Sequence, residues 1–571
     1  MTRPPIGRLV ALLCVMVFAL GAIFVRLSVL QVSQADDLRD RAADQRVRTV
    51  ALPAERGQIL DRSGTRLALS LPARDVYADP RYVVDAWATA TALSPVLDEP
   101  ATSLVDKLTA DATFVYLARQ VGLQRADRIE ELGLAGIGFL DATRRSYPAG
   151  PLAGQVLGFV NVDGEGIAGL ELEYQDLLAG APGERTQEID PYGQPIVGGV
   201  DVLRPPVAGA SLETTIDREL QFQAEAALRD AVEHQGARGG TLIVMDPRNG
   251  EILAMTSVPS FDPNRFAEAD PAAYRNRAVT DMFEPGSTNK VITAAAAVQE
   301  RALPLDERLS VAWTMEVGEF TIHDAHPHGV LRMTLGDIIA ESSNIGAVHV
   351  ANRVGADDMA AYLWRFGLGR ETGVGFPGES AGITLPLTHW TDTTLATSAY
   401  GQGLAATPLQ MISVYATIAN QGRWVQPRLV RATIGADGTR HEVPPGGSRR
   451  VVSAETAEMV GRMLAYAVDH GTGTNARIAG YQVAGKTGTA RIPLEDRPGY
   501  LEGQYVASFI GYLPAGDPQV VIAAILDRPA QGYGGLAAAP LFQRVARAAI
   551  SRLGIEPAAP LPVPPHALPL R

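Results

Sequence analysis

Hydrophobic and polar positions divide this chain before any motif is considered. Leu9 to Val25 is an uncharged run of 17 residues, preceded by Arg3 and Arg8 and closed by Arg26. As a helix it spans roughly 25 Å, and Arg26 can snorkel to lengthen the apolar reach. From Ser33 the pattern turns charged and helical in "SQADDLRDRAADQRVRTV", then gives way to short strands broken by Gly and Pro up to about Ala210. "AERGQILDRSGTRLALS" reads as a hairpin around Ser63-Gly64. Pro205-Pro206 and Gly209 mark a linker, after which Asp217 caps a helix with Leu220, Ala224, Leu228 and Ala231 on one face and Gly236 as its stop. "TLIVMD" and "EILAMTS" are strands joined by the turn Pro247 to Gly250. "YVASFIGYL" and "VVIAAIL" are further strands, and "APLFQRVARAAISRL" is a closing helix. Beyond Gly554 six prolines among the last 16 residues predict a disordered tail. The segments are therefore 1–8 before the apolar run, 9–32 a transmembrane anchor, 33–210 a strand-rich module, 211–553 a second domain and 554–571 the tail.

Composition narrows the setting. At 571 residues and 46% hydrophobic content the chain can bury several cores. A formal charge of −13 with no basic patch argues against nucleic acid as a partner. Cys14 is the single cysteine, which excludes an internal disulfide framework and a cysteine metal cluster. The arginines ahead of the apolar run place the N-terminus in the cytoplasm and the remainder outside a cell membrane crossed once. A cleaved signal peptide, ending at Ser33-Gln34-Ala35, is the alternative, but the apolar run exceeds the usual 7–15 residue core of such signals.

Only Lys107, Lys290 and Lys486 are lysine among 50 basic residues. A coding bias toward arginine explains the scarcity, and a surviving lysine is then a candidate for work arginine cannot do. A desolvated lysine can lose its proton near neutral pH, whereas guanidinium cannot. Lys290 follows Ser287 by three residues at a helix start set by Pro285-Gly286, so the two side chains share a face. A neutral Lys290 amine can take the proton of Ser287 and make it a nucleophile without histidine. An N-capping serine beside an exposed lysine is the plainer reading of that pair alone. The chain then reads Ser-Ser-Asn at 342–344 and Lys-Thr-Gly-Thr at 486–489. Singly, Ser-Ser-Asn is a polar turn; the ordered set of three is specific.

These three motifs resemble those of the penicillin-binding proteins and serine β-lactamases. "AERGQILDRSGTRLA", "RSYPAG" and "GIAGLELEY" are similar to the motifs of the non-catalytic module of class B penicillin-binding proteins. "GQGLAATPLQM" and "YGGLAAAPLF" resemble segments of their transpeptidase module. The resemblance implies a single-pass anchor, an α+β non-catalytic module, and a transpeptidase domain whose antiparallel sheet is flanked by helices. It implies that Ser287 attacks the D-Ala-D-Ala carbonyl of a peptidoglycan stem peptide, and that an amine of a second stem takes the acyl group. Lys290 is the implied general base, Ser342 passes a proton to the leaving nitrogen, and Asn344 holds a substrate amide. Lys486, Thr487, Gly488 and Thr489 form the strand that binds the terminal carboxylate, with the backbone N–H groups of Ser287 and Thr489 as the oxyanion hole. β-Lactams are implied inhibitors, no cofactor is implied, and a membrane glycan polymerase and other division proteins are implied partners. In the non-catalytic module Arg56, Gly57, Asp61, Arg62, Arg145, Tyr147, Gly169 and Glu171 are structural, with a Gly-containing turn fixed by an arginine–carboxylate pair.

Two features stand outside this set. His323, His326 and His328 in "TIHDAHPHG" have a spacing open to zinc, but without a nearby cysteine they read as a loop packed beside the cleft, with Asp324 ordering it. Lys107 reads as surface charge. A β-lactamase or D,D-carboxypeptidase would share the three motifs without needing the long first module. A non-catalytic scaffold would not need Ser287, Lys290 and Lys486. The compact form, lacking appended C-terminal binding domains, resembles the division type of transpeptidase more than the side-wall elongation type.

Overall fold

The structure is a computed structural model that describes residues 6–35, 46–188, 196, 197, 199, 201–494, 497 and 499–564. The chain forms two compact units, residues 1–55 with 180–208, and residues 56–179 with 209–571.

In the first unit a helix runs Ile6–Ser33, 28 residues with mean hydropathy 2.6 in its most apolar window, long and apolar enough to cross a membrane. None of Ile6–Ser28 is buried. The same unit carries a three-stranded antiparallel sheet of Val47–Leu52, Gly183–Glu188 and Asp201–Arg204. The charged helix expected from Ser33 to Val50 falls partly on residues 36–45, which lie outside the described residues. From Val47 the backbone is strand instead, because Val47 and Thr49 are β-branched and the segment pairs across to residues 183–188.

In the second unit a seven-stranded sheet runs in the order Arg440–Glu442, Val430–Ile434, Ser211–Thr214, Ile59–Leu60, Arg66–Ala78 and Val115–Gly122, with Ile137–Ser146 beside Arg66–Ala78. The expected hairpin is there, its turn closed by Asp61, whose carboxylate accepts from Ser63 N, Ser63 Oγ and Thr65 N. Ile59–Leu60 pairs in parallel with Ser211–Thr214, so strands distant in sequence share this sheet. Three helices, Ala86–Leu97, Ala101–Leu108 and Leu123–Glu131, close a small core around Val76, Leu93, Leu104 and Ile129.

A five-stranded antiparallel sheet forms the centre of the same unit, in the order Ile252–Val258, Gly239–Met245, Val520–Asp527, Tyr500–Leu513 and Ala484–Pro493. Both of its faces are covered, which is why its strands read as unbroken apolar runs rather than alternating ones. Leu242 and Val244 pack into a core with the helices Arg218–His234 and Gly534–Leu553. Ile243 and Met245 point the other way, into the core containing Lys290–Gln299, Pro408–Ala419 and Ala454–Asp469. Asp217 caps its helix as expected, accepting from Leu220 N, and Gly236 follows at φ +55°.

The proline-rich segment expected to be disordered is held as far as residue 564. Leu561 N donates to Gln482 Oε1 at 2.7 Å, Tyr481 OH donates to Ile555 O at 2.7 Å, and Pro564 is buried beside Gly336. Proline fixes an extended backbone at little entropic loss, so a few anchors suffice to dock it. Residues 565–571 lie outside the described residues.

Candidate active site

Ser287 lies in a single 3-10 turn, Gly286–Asn289, that runs straight into the helix Lys290–Gln299. Pro285 sets the turn at φ −67°, and Gly286 N donates to Gly401 O at 3.0 Å, tying it to the "GQG" segment. One helical turn from Ser287, the Lys290 side chain is fully buried. Its Nζ stands 3.0 Å from Ser287 Oγ, 2.5 Å from Ser342 O, 3.3 Å from Ser342 Oγ and 2.8 Å from Asn344 Oδ1.

Ser-Ser-Asn is the joint between two helices. Ser342 ends Leu335–Glu341 in the left-handed region at φ +62°, uncommon for a residue with a Cβ and typical of functional joints. Ser343 caps the next helix, Asn344–Val354, accepting from Gly346 N. The reversal aims the Ser342 carbonyl and the Asn344 carboxamide at one point, the Lys290 amine.

The strand Ala484–Pro493 forms the opposite wall. A Cβ on Gly488 would lie 2.3 Å from Ser508 Oγ and 2.9 Å from Thr288 Cγ2, so only glycine lets the strand lie against the turn that carries Ser287. Lys486 is buried, with Nζ 3.2 Å from Thr487 Oγ1 and 3.4 Å from both Thr487 O and Thr472 Oγ1. Thr487 Oγ1 is 2.8 Å from Thr472 Oγ1, and Thr489 Oγ1 accepts from Gly534 N at 3.2 Å.

Burial holds the Lys290 amine well below the ordinary lysine range, and the positive charge of Lys486 lowers it further, against a smaller opposing effect of Asp324. Lys486 is itself lowered by burial to about 7, with Glu341 opposing. The surroundings suit a neutral Lys290 amine: with two N–H groups donating to Ser342 O and Asn344 Oδ1, the nitrogen keeps a lone pair for the Ser287 hydroxyl, 3.0 Å away. An amine so placed can accept the proton of the Ser287 hydroxyl, which is the chemistry of a serine acyl-transfer site without histidine.

Residues 240–547 match the penicillin binding protein transpeptidase domain, and residues 51–214 the penicillin-binding protein dimerisation domain. The penicillin-binding protein PbpB of Mycobacterium tuberculosis is 37% identical over 94% of this chain and 84% of its own length. The peptidoglycan D,D-transpeptidase FtsI of Escherichia coli is 34% identical over 96% and 92%. The crystal structure of penicillin binding protein 3 from Mycobacterium tuberculosis, complexed with aztreonam, superposes with a TM-score of 0.72 at 32% identity, over 90% of this chain and 99% of that one.

The chain belongs to the class B penicillin-binding proteins. It is a serine-type transpeptidase, with the expected succession of apolar N-terminal helix, dimerisation module and transpeptidase domain.

In this penicillin-binding protein the arginine–carboxylate cluster lies between segments far apart in sequence. Glu171, on the short helix Gly169–Glu173, is fully buried and accepts from Arg56 Nε at 2.6 Å and Arg145 Nε at 2.7 Å, with Tyr147 OH 3.3 Å away. Burial, and then the charge of Glu171, raise the Tyr147 phenol well above its ordinary range. Arg56 also donates through Nη2 to Glu171 O, and Arg145 through Nη1 to Gly57 O at 2.8 Å. A Cβ on Gly57 would fall 2.0 Å from Ala210 O, so glycine permits this crossing. The partner of the turn arginine Arg56 is therefore Glu171; Asp61 serves the hairpin, and Arg62 lies 3.5 Å from Glu251.

The three histidines do not converge. His323 gives its carbonyl to Asn344 Nδ2, His326 lies near the Tyr533 ring, and His328 Nε2 is 3.2 Å from Asp324 Oδ2. Among the described residues no group of three or more His, Cys, Asp or Glu side chains is placed to hold a metal ion. Lys107, expected as surface charge, instead ties a helix to a strand through Glu99 at 2.8 Å and Leu117 O at 2.9 Å. Asp324 does more than order its own loop. Its carboxylate accepts from Ser343 Oγ and from the N–H groups of Asn344 and Ile345. The sequence signal was an acid 18 residues ahead of Ser342, too far for a local rule to connect.

Proposed function

We propose that this chain is a peptidoglycan D,D-transpeptidase of septal cell-wall synthesis, with Ser287 as nucleophile and Lys290 as its base. The observation that carries the reading is the Lys290 amine, buried and 3.0 Å from Ser287 Oγ, with Ser342 O and Asn344 Oδ1 also within hydrogen-bond distance. Ser287 attacks the penultimate D-Ala carbonyl of a donor stem while its proton passes to Lys290. The tetrahedral oxyanion lies between the backbone N–H groups of Ser287 and Thr489, where each donor lowers the barrier by roughly 3–4 kcal/mol. Collapse expels D-Ala, protonated through Ser342, and leaves the acyl-enzyme. An amine of a second stem then attacks the acyl carbonyl and gives a proton to Lys290, which passes it to the Ser287 oxygen as the acyl–serine bond breaks. Asn344 Nδ2 holds a substrate amide, and Lys486 with Thr487, Gly488 and Thr489 forms the wall that binds the terminal carboxylate. An anion there restores the charge of Lys486 that burial weakens. β-Lactams acylate Ser287 by the same steps and stay bound.

In this reading residues 9–32 anchor the protein in the cell membrane, with 1–8 cytoplasmic and the rest extracytoplasmic. Residues 33–210 act by binding, and the buried Arg56–Glu171–Arg145 cluster holds that module rigid for docking a membrane glycan polymerase and other division proteins. Residues 211–553 carry the catalysis. The test is labelling of membranes with a fluorescent penicillin. The full-length chain should label and Ser287→Ala should not; equal labelling of both would remove the assignment.

A further inference from the structure

Asp324 sits on the loop after the strand Phe320–His323, and only 9% of the residue is exposed. Its Oδ1 accepts from Asn344 N at 2.5 Å and Ile345 N at 3.1 Å. Its Oδ2 accepts from Ser343 Oγ at 2.6 Å and lies 3.2 Å from His328 Nε2. The carboxylate thus holds the first turn of the helix Asn344–Val354, where unpaired N–H groups and the helix dipole both favour an anion. The neighbouring carbonyl, His323 O, accepts from Asn344 Nδ2, which turns Asn344 Oδ1 toward Lys290. None of these contacts is with Ser287, yet together they fix two of the groups that Lys290 touches.

We propose that Asp324 is a positioning residue of the acyl-transfer site, locking the Ser342–Asn344 joint so that the Ser342 carbonyl and the Asn344 carboxamide hold the Lys290 amine on Ser287. The proposal rests on Lys290 acting as base. The joint, with Ser342 at φ +62°, is tied back to the preceding helix through Ser342 N and Ser343 N on Ile338 O, and Asp324 ties it forward to the first turn of the next helix, so the carbonyl between them is held from both sides. Asp324 also acts through charge. The groups facing Lys290 are Lys486 from the strand wall and Asp324 from the loop; Lys486 is faced by Glu341 and Asp324 by His328. The negative charge of Asp324 favours protonated Lys290, so it sets how far up in pH the base becomes available.

The two effects separate in one experiment on the full-length protein in detergent: the second-order rate of acylation by penicillin as a function of pH. Asp324→Asn keeps the shape and removes the charge. It should lower the plateau by about tenfold or more, since small displacements of reacting groups are expensive in rate. It should also move the acid limb to lower pH, because Lys290 loses the anion that holds its proton. Ser343→Ala keeps the charge and removes one anchor; its plateau should fall about threefold, with the acid limb unmoved. A wild-type plateau and limb in Asp324→Asn overturns the proposal, and so does a lowered plateau with an unmoved limb, which is mere support of the fold. If Asp324→Asn does not fold, Ser343→Ala decides by the same plateau. Lys290→Arg run beside them keeps the readings apart: wild-type acylation in that variant removes the base assignment, whatever Asp324→Asn does.

Discussion

The Lys290 amine lies 3.0 Å from the Ser287 hydroxyl and also within hydrogen-bond reach of Ser342 and Asn344. Two of the three motifs thus meet at one nitrogen, and the charge of Lys486 in the third bears on it. That convergence gives the site its chemistry, because it keeps the amine dry and aimed.

The two buried lysines should shape the pH dependence of acylation. Lys290 works when neutral, so the rate should fall as pH drops below its depressed pKa. Lys486 binds a carboxylate when charged, so on free enzyme, where its pKa is about 7, the rate should fall as pH rises past that value. The second-order acylation rate should therefore be bell-shaped. Lys486→Arg keeps its charge at every accessible pH, so its alkaline limb should move well upward. An unmoved alkaline limb in that variant would assign the limb to another group.

Gly488→Ala tests the close approach of the two walls. The added Cβ meets Ser508 Oγ at 2.3 Å and Thr288 Cγ2 at 2.9 Å, and Thr288 adjoins the nucleophile. Displacing that turn by a fraction of an ångström should slow acylation by about tenfold or more with the fold retained. Wild-type acylation of the variant would mean that the turn does not depend on the strand.

Much of this site is legible in the sequence, and the rest is hidden for identifiable reasons. Ser287, Lys290, Ser342, Asn344 and Lys486 stand out because they fall in three ordered motifs that resemble those of the penicillin-binding proteins. Asp324 does not, since a carboxylate's partners are backbone N–H groups that any sequence supplies. The shared seven-stranded sheet was equally hidden: Ile59–Leu60 pairs with Ser211–Thr214 across a separation no local pattern encodes. Val47 to Val50 read as the end of a charged helix because its strand partner, residues 183–188, is as far away. The proline-rich tail read as disordered because composition does not reveal that Gln482 and Tyr481 hold it.

Glu171→Gln tests the buried cluster of the first module. It leaves Arg56 and Arg145 facing each other without their shared carboxylate, and breaking a buried ion pair in this way destabilises by roughly 3–5 kcal/mol. Thermal unfolding should begin at a clearly lower temperature, while the folded fraction still acylates with penicillin. An unchanged melting profile would show that the cluster adds nothing to stability.

The most direct test of the central claim is the rate at which Lys290→Arg is acylated by penicillin. Arginine keeps the positive charge and a stem of similar reach but cannot give up its proton. General-base assistance is typically worth 10²–10⁴ in rate, so the variant should fold and acylate at least about a hundredfold more slowly than wild type. Acylation at close to the wild-type rate would contradict the account, because Lys290 would then be serving only as a cation.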